Sequence, residues 1–335
     1  MHNTLISILT PFKNTAQYIT ECIESIRNQS HQNWELIIVN DHSTDESRGI
    51  VLTFAEIDHR IKLFENSGHG IIDALRLAYS KSGGTYITRM DSDDIMHKRK
   101  LEIMLNDLQI HGKQHIALGL VKYFKENGIG NGYAIYESWL NNLTRSGNNY
   151  SEIYKECVIP SPCWMIHRDD FELCGAFSSN RYPEDYDLTF RYYKHKMHCI
   201  PSISILHYWR DYSTRASRTH EHYAENNFLE LKIDYFIELN YDSKRPLIIW
   251  GAGQKGKAIA KLLQQKQITF TWVCDNPKKI GKHIYNELLY SYEELNKLTK
   301  PQSIISVANK EAQTEIQLYF KTLKMKAMID YYFFC

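Results

Sequence analysis

The sequence predicts an α/β protein with two domains, residues 1–240 and 245–335. Short apolar runs alternate with amphipathic helical segments in both parts of the chain, a pattern typical of sheets built mostly from parallel strands. A polar segment from Asn240 to Pro246 separates the two parts. The length of 335 residues also suits about two domains.

Strands and helices alternate most clearly near the start of the chain. Four strands are predicted there, at residues 5–9, 34–39, 61–64 and 85–90. Helices are predicted at residues 16–28 and 71–80, where apolar residues recur at helical spacing. Further along we predict a loop with one short helix at residues 125–160 and an amphipathic helix at residues 222–239.

The composition excludes several protein classes. The chain is 43% hydrophobic and 24% charged, which is typical of a globular protein. No apolar run approaches the ~20 residues of a membrane-spanning helix, and the first residues lack the basic start of a secretory signal. The seven cysteines form no C-x-x-C pair, so we expect no zinc or redox motif and predict reduced thiols in the cytoplasm.

The net charge of +1 conceals an uneven distribution. Residues 245–335 contain 14 basic and 7 acidic side chains, a net charge of +7. Residues 1–244 therefore retain 26 basic and 32 acidic side chains, a net charge of −6. The basic surplus favours contact with the other domain, with a second copy of the chain in a homodimer, or with an anionic membrane surface. We expect no nucleic-acid partner.

The run Asp91-Ser92-Asp93-Asp94 is the strongest chemical signal in the sequence. Three carboxylates at a strand end repel one another unless a cation lies among them, and such oxygen ligands suit Mn²⁺ or Mg²⁺. The carboxyl ends of parallel strands share one edge of a sheet, so we expect Thr10-Pro11-Phe12 and Asp41 to lie near this run. The alternative is an exposed acidic loop that begins a helix.

Five motifs in chain order resemble those of the family 2 glycosyltransferases, which have the GT-A fold. They cover about 190 residues and are, in order, Ser7 to Asn14, Val39 to Asp45, Asn66-Ser67-Gly68, Asp91 to Asp94, and Glu184-Asp185-Tyr186-Asp187-Leu188. A further stretch resembles a bacterial subgroup with a small C-terminal domain, and it consists of Tyr208-Trp209-Arg210-Asp211, Arg215 and Ser217-Arg218. Phe12, Asn40 and His42 depart from the family pattern, but none of these changes removes a metal ligand.

The resemblance implies a GT-A nucleotide-sugar-binding domain with a mixed, mostly parallel sheet. Its nucleotide-sugar half would lie at about residues 1–120 and its acceptor half at about residues 121–240. The implied activity is that of an inverting, metal-dependent glycosyltransferase with a nucleotide-sugar donor, a UDP-sugar being favoured. The implied acceptor is a glycan or lipid-linked glycan of a bacterial surface, such as lipopolysaccharide or capsule.

The resemblance also implies roles for single residues. Donor binding would involve Thr10, Pro11, Phe12, Asp41, Asp91 and Ser92, with Asp41 on the nucleobase and Asp91 on the ribose. Asp93, or else Asp94, would hold the metal ion. Asp185, favoured over Glu184, would be the general base that removes the proton of the acceptor hydroxyl. The alternative for this pair is a carboxylate group at a helix N-terminus.

Three arginines could contact the diphosphate or an anionic acceptor, since guanidinium groups match phosphate oxygens, and these are Arg210, Arg215 and Arg218. The alternative is a surface cluster paired with Asp211 or Glu221. The residues alone leave both interpretations open.

A glycine-rich motif predicts that the second domain is a small Rossmann-like unit. Gly251-x-Gly253-x-x-Gly256 follows a predicted strand and begins a predicted helix, and Asp275 ends the next strand 19 residues later. Such a unit could bind NAD or another nucleotide, have a structural or assembly role, or catalyse a redox reaction. About sixty residues after Asp275 leave little room for a redox substrate domain.

Two other functions remain as alternatives. The first domain could be a nucleotide-sensing protein that transfers nothing, although the intact Asp91 to Asp94 and Glu184-Asp185 argue against this. The chain could also be a sugar-nucleotide oxidoreductase that acts through residues 247–335. We expect a cytoplasmic protein. Peripheral contact with the inner face of the membrane is compatible with that prediction.

Overall fold

The computed structural model describes residues 4–125, 128–213, 215 and 228–335. The chain divides into two compact units. The first unit comprises residues 1–149 and 158–215, and the second comprises residues 150–157 and 216–335. Both units are α/β arrangements with mostly parallel strands, which confirms the predicted fold class.

The first unit alternates strands and helices. Its strands are β1 (Ile6–Phe12), β2 (Trp34–Asn40), β3 (Ile61–Glu65), β4 (Tyr86–Arg89), β5 (Ile95–Met96), β6 (His115–Leu118), β7 (Leu120–Phe124), β8 (Trp164–His167), β9 (His198–Ile200) and β10 (Ile205–Arg210). Its helices are α1 (Ile19–Arg27), α2 (Ser47–Ile57), α3 (Gly70–Ser80), α4 (Lys100–His111), α5 (Asn131–Ser146), α6 (Arg168–Leu173) and α7 (Glu184–Lys194).

The main sheet of the first unit has the order β3-β2-β1-β4-β8-β6-β9. The strands β3, β2, β1 and β4 run parallel, whereas β8 is antiparallel to both of its neighbours. β2 is buried along its whole length, which suits the apolar run from Leu36 to Val39 within it. A smaller sheet has the order β5-β10-β7. Because β2, β1 and β4 are adjacent and parallel, the loops that follow them meet at one edge.

Helix α5 differs from the sequence prediction for this part of the chain. A loop with one short helix was expected at residues 125–160, but α5 has 16 residues. Its aromatic side chains, including Tyr133 and Trp139, pack against the hydrophobic core of the first unit. Burial of this face therefore outweighs the low helix propensity of a segment rich in Gly and Asn. Gly147 follows the helix with a φ of 68°, the left-handed conformation in which helices often end.

The second unit has strands β11 (Leu247–Trp250), β12 (Thr271–Cys274), β13 (His283–Ile284), β14 (Glu287–Ser291), β15 (Gln302–Ile305) and β16 (Tyr331–Phe333). Its helices are α8 (Leu229–Leu239), α9 (Gln254–Gln265) and α10 (Lys310–Thr322). The sheet order is β13-β14-β12-β11-β15-β16, and all pairs are parallel except that between β13 and β14. Residues 222–227 of the predicted amphipathic helix lie outside the described residues.

The segment 150–157 belongs to the second unit because of its packing. The ring of Tyr154 stacks on Phe334 with 5.0 Å between the ring centres, and its hydroxyl donates to Oδ1 of Asn240 over 2.5 Å. Nζ of Lys232, on α8, donates to the carbonyl oxygen of Lys155 over 2.7 Å. The predicted domain boundary at residues 240–245 therefore does not coincide with this division, because α8 packs with the second unit.

No helix in the described ranges is both long enough and apolar enough to cross a bilayer. The longest of the described helices, α5, has 16 residues, whereas a span needs about 20.

Two glycines between β11 and α9 have different surroundings. A Cβ atom on Gly256 would lie 2.1 Å from the carbonyl oxygen of Gly251 and 2.8 Å from Oγ of Ser306. A Cβ atom on Gly253, the residue before α9, would meet nothing within 4 Å. Gly256 is therefore needed for the close approach of α9 to the end of β11, and Gly253 is not.

We expect Gly256→Ala to lower the free energy of unfolding by about 1–3 kcal/mol, because the added methyl group must displace backbone atoms. Gly253→Ala is the matched control, with an expected loss below about 1 kcal/mol. Urea unfolding followed by circular dichroism measures both changes. Equal losses for the two variants would contradict the close helix–strand contact.

Candidate functional site

The loops after β1, β2 and β4 meet at one edge of the main sheet, as the sequence predicts. The amide of Asp41 donates to the carbonyl oxygen of Phe12 over 2.8 Å. On α1, Sγ of Cys22 lies 3.5 Å from the carbonyl oxygen of Asp91, to which it donates. This edge therefore gathers the segment Thr10-Pro11-Phe12, Asp41 and the acidic run Asp91-Ser92-Asp93-Asp94.

Asp41 is buried and has partners within the protein. Its Oδ1 accepts hydrogen bonds from Nδ2 of Asn66 over 2.7 Å and from the amide of Gly70 over 3.0 Å. Its Oδ2 lies 3.7 Å from Nζ of Lys13, whose side chain is exposed. The two hydrogen bonds to Oδ1 fix the carboxylate of Asp41. Its Oδ2 faces the exposed Lys13.

The neighbouring residues of β1 are less accessible than their predicted roles require. Thr10 is fully buried and Phe12 is 2% exposed. The ring of Phe12 packs in the hydrophobic core, and the hydroxyl of Thr10 has no hydrogen-bond partner among the described residues. Pro11 is partly exposed. The expected contact of Phe12 with a nucleobase is therefore at odds with its burial, because its side chain faces the core.

Asp94 is buried beneath the acidic run, and both of its oxygens have protein partners. Its Oδ2 accepts from Nε2 of His207 over 2.9 Å, and its Oδ1 accepts from the amide of Arg210 over 2.8 Å. The guanidinium of Arg215 lies 3.9 Å from Oδ2. Burial lowers the pKa of His207 well below its usual range, so a neutral imidazole faces this carboxylate. Asp94 therefore ties the acidic run to β10, and this leaves Asp93 as the better candidate for a metal ligand.

Asp93 is partly exposed, unlike the buried residues Ser92 and Asp94 on either side. Its Oδ2 accepts from the hydroxyl of Tyr212 over 2.8 Å. Burial and the Asp94 carboxylate raise the pKa of Asp93 to about 7, while Arg215 acts in the opposite direction. A nearby cation would favour the ionised form of such a carboxyl group. Nothing in the sequence distinguishes Tyr212 from the other tyrosines, of which the chain has 23 in all.

The acidic run does not form a complete metal site from protein groups. Across the residues that the structure describes, no group of three or more His, Cys, Asp or Glu side chains could hold a metal ion. Mg²⁺ commonly takes only one or two protein carboxylates and completes its coordination with water and phosphate oxygens. Asp93 therefore fits a cation that is held jointly with a diphosphate.

Glu184 and Asp185 begin α7 and have different environments. Glu184 is buried, and its Oε1 accepts from the guanidinium of Arg89 over 2.8 Å. Asp185 is partly exposed, and its Oδ1 accepts from the amide of Tyr186 over 2.8 Å. Burial and the Glu184 carboxylate raise the pKa of Asp185 above its usual range, and Arg89 opposes this rise. A carboxylate with a raised pKa is a better proton acceptor near neutral pH.

Arg89, at the end of β4, joins the Glu184-Asp185 pair to the acidic run. Besides Glu184 it contacts Oδ1 of Asp91, which lies 3.0 Å from its Nε and 2.9 Å from its second terminal nitrogen. The residue is 5% exposed. The sequence analysis missed Arg89, although its position two residues before Asp91 was a usable signal.

Arg210 lies at the acidic run, but its side chain contacts protein groups. Its Nε donates to the carbonyl oxygen of Asp93 over 2.9 Å, and its guanidinium pairs with Glu21. The guanidinium also lies over the ring of Tyr18, 4.8 Å from its centre. The ion-pair partner is therefore on α1, whereas Asp211 pairs with Lys125 over 3.5 Å.

Arg215 lies beside the same run and is largely buried. Its guanidinium is 5.8 Å from the centre of the Trp209 ring. The carboxylates of Asp94 and Asp93 raise the pKa of Arg215 and so favour its charged form. Arg218 and Glu221, which the sequence analysis considered with it, lie outside the described residues.

The glycine-rich loop of the second unit lies at the carboxyl edge of its sheet. The loop follows β11, whose neighbours in the sheet are β12 and β15, so the strand order reverses at this point. Gly251 has a φ of +118°, and Lys279 donates from Nζ to the carbonyl oxygen of Ala252 over 2.8 Å. Asp275 follows β12 and is exposed. Binding of NAD or another nucleotide here stays a prediction, with the candidate residues Gly251, Gly253, Gly256 and Asp275.

A protein-family model described as glycosyl transferase family 2 matches residues 7–174. The matched residues extend from β1 to the end of α6 and include Asp41 and the acidic run. Glu184 and Asp185 lie beyond the match. The family assignment therefore rests on the donor-side half of the site.

Two relatives in bacteria are similar to parts of the chain. An uncharacterized glycosyltransferase of Rickettsia bellii (strain RML369-C) is 29% identical over 185 residues, which are 55% of this chain and 25% of that protein. The putative teichuronic acid biosynthesis glycosyltransferase TuaG of Bacillus subtilis (strain 168) is 42% identical over 104 residues, which are 30% of this chain and 40% of that protein. The chain thus matches about a quarter of the length of the first relative and less than half of the second.

Two solved structures are similar in fold. Residues 1–349 of S. aureus TarS, in complex with UDP-GlcNAc, superpose with a TM-score of 0.52 and 15% identity over 77% of this chain and 71% of that one. The mannosyltransferase PcManGT from Pyrobaculum calidifontis, in complex with GDP-Man and Mn²⁺, has a TM-score of 0.53 and 16% identity over 78% and 69%. At such low identity the similarity concerns the fold alone, and it confirms the predicted GT-A type.

We expect Asp94→Ala to lower the free energy of unfolding by about 3–5 kcal/mol, because it leaves buried cationic and N–H groups without their partner. Glu24→Ala is the control. Glu24 pairs with Arg27 over 3.0 Å and is 44% exposed, so its loss should cost at most about 1 kcal/mol. Urea unfolding measures both. Similar small losses would show that Asp94 does not tie the acidic run to β10.

Proposed function

The chain belongs to glycosyl transferase family 2, and we propose that it transfers a sugar from a UDP-sugar to a glycan or lipid-linked glycan of a bacterial surface. One observation carries the proposal. Asp91 of the acidic run and Glu184 of the pair both accept hydrogen bonds from one buried guanidinium, that of Arg89. A group suited to a donor diphosphate and a proton acceptor are thereby held in one place, as a direct displacement requires.

The donor nucleotide would lie along the loops after β1, β2 and β4. Oδ2 of Asp41 would accept a hydrogen bond from the nucleobase, and Asp91 would face the ribose. Thr10 and Phe12 would support this loop from the core. Nucleotide-sugar complexes of two proteins with a similar fold, one with UDP-GlcNAc and one with GDP-Man, support the donor class. The preference for a UDP-sugar comes from the resemblance in the sequence motifs.

Asp93 would hold a divalent cation, Mn²⁺ or Mg²⁺, together with the diphosphate. The bound cation would offset the negative charge that develops on the leaving diphosphate. The presence of Mn²⁺ in the PcManGT complex supports this choice. Arg215, whose guanidinium lies 3.9 Å from Oδ2 of Asp94, would add a fixed positive charge near the cation.

Asp185 would act as the general base. It would accept the proton of the acceptor hydroxyl while that oxygen forms a bond to the anomeric carbon of the donor. The bond from this carbon to the diphosphate oxygen breaks in the same step, and the nucleoside diphosphate leaves with the electron pair. A single displacement of this kind inverts the anomeric configuration.

The acceptor class follows from two weaker observations. TuaG is named as a putative glycosyltransferase of teichuronic acid biosynthesis, and this supports a bacterial glycan as the acceptor. The net charge of +7 in residues 245–335 would favour an anionic glycan, the inner face of a membrane or an acidic protein surface.

A thermal-shift screen of nucleotide sugars, each with and without MnCl₂, would identify the donor. A ligand present at 100 times its dissociation constant stabilises the protein by about 2.7 kcal/mol, and we expect a UDP-sugar to do so only with Mn²⁺. Asp93→Asn should abolish the part of this stabilisation that depends on Mn²⁺. Asp169→Asn is the control, since Asp169 is an exposed carboxylate paired with Lys113 on another part of the surface. The proposal fails if no nucleotide sugar shifts the wild-type protein.

We expect Asp185→Asn to lower kcat by about 100-fold or more, because an amide cannot accept the proton. The melting temperature and the affinity for the donor should change little. In the wild-type protein, kcat should rise with pH as Asp185 loses its proton, at a pH above the ordinary Asp pKa of 3.8. Release of UDP measures both effects. Full turnover by the variant would assign the proton transfer to another group, and binding without any turnover in the wild type would indicate a nucleotide sensor.

A further inference from the structure

The guanidinium of Arg89 connects two parts of the site that are distant in the sequence. Its contacts reach Asp91, directly after β4, and Glu184, at the start of α7, which are 93 residues apart. The side chain of Arg89 is 6% exposed, and that of Glu184 is 9% exposed. Bulk water therefore weakens the contact between Arg89 and Glu184 little.

The link suits an arginine and no other residue. A guanidinium is planar and presents several N–H groups in a fixed fork, so it can donate to two carboxylates in defined directions at once. A lysine provides one point charge on a flexible chain and would hold one carboxylate at the expense of the other. Without any cation, the carboxylates of Asp91, Glu184 and Asp185 would repel one another in a poorly hydrated region.

We propose that Arg89 is a positioning residue that sets the orientation of the donor-side carboxylate Asp91 relative to the acceptor-side pair Glu184-Asp185. This inference rests on the proposed function. Arg89 acts through the two carboxylates and does not itself contact a substrate. Donor binding also depends on Asp41 and Asp93, which Arg89 does not touch, whereas proton transfer depends on the placement of Asp185. Loss of the fork should therefore lower kcat much more than donor affinity.

The test compares Arg89→Lys and Arg89→Gln with Arg191→Lys. Arg191 is a matched control because it is also largely buried, lies on α7 and pairs through Nε with the buried carboxylate of Asp187 over 2.9 Å. Its other hydrogen bonds go to backbone groups, and its terminal nitrogen donates to the carbonyl oxygen of Ala176 over 2.8 Å. The measured quantities are kcat and KM from UDP release with the donor found by the screen, the dissociation constant of UDP with MnCl₂, and the melting temperature.

We expect Arg89→Lys to fold and to bind UDP with MnCl₂ within about threefold of the wild type, with kcat lower by about 100-fold, the loss that a displacement of 1 Å can cause. Arg89→Gln should lose at least as much of kcat. Arg191→Lys should lose stability without a change in kcat or KM. Two further variants, Arg89→Ala and Arg191→Ala, test for chemical rescue. Guanidinium ion added at low concentration should restore part of the activity of Arg89→Ala and should not raise that of the control Arg191→Ala.

Wild-type kcat and KM in Arg89→Lys would overturn the inference while leaving the proposed function intact. Equal losses of kcat in the Arg89 and Arg191 variants would also overturn it, because they would indicate a general effect of lost stability. If the Arg89 variants do not fold, Glu184→Gln tests the same link from its other end, and unchanged kcat in that variant would overturn the inference. A wild-type protein that releases no UDP from any nucleotide sugar would contradict both proposals.

Discussion

The candidate site depends on the compensation of negative charge that is buried at one edge of a sheet. Five carboxyl groups follow β4 or begin α7; Asp94 and Glu184 are buried, whereas Asp91, Asp93 and Asp185 are partly exposed. Arg89 and Arg215 supply fixed positive charge among them. The compensation is incomplete around Asp93, since its pKa remains raised to about 7. A nearby cation would favour the ionised form of Asp93, and this edge of the sheet is therefore suited to binding one.

The acidic run illustrates how one short sequence serves two purposes. Asp94 is turned towards β10 and is held by His207 and by the amide of Arg210. Asp93, next to it, is partly exposed, and its Oδ2 accepts a hydrogen bond from the hydroxyl of Tyr212. The buried carboxylate of Asp94 fixes the loop, and the fixed loop holds the carboxylate of Asp93 in place. A loop held from beneath in this way has little conformational freedom to lose when a ligand binds.

The second unit is assembled from two separate stretches of chain. Residues 150–157 are contributed from the middle of the sequence, and Tyr154 packs there among the aromatic side chains of Phe236, Tyr332 and Phe334. A domain boundary predicted from local polarity cannot detect that a segment from the middle of the chain packs in the second unit. The burial of Tyr154 depends on residues almost two hundred positions away. The same reasoning explains α5, whose aromatic residues are partly buried by tertiary packing that its composition does not reveal.

The sequence by itself determined the alternation of strands and helices, the positions of β1 to β4, and the meeting of Asp41 with Asp91 to Asp94 at one edge. These follow from local periodicity and from the rule that parallel strands end on the same side. Tertiary structure alone decided which carboxylates face the core, that Phe12 is buried, and that Arg89 and Tyr212 belong to the site. Side-chain direction and partnership depend on residues far away in the chain, such as Glu184 for Arg89, and a pattern of neighbouring residues carries no information about them.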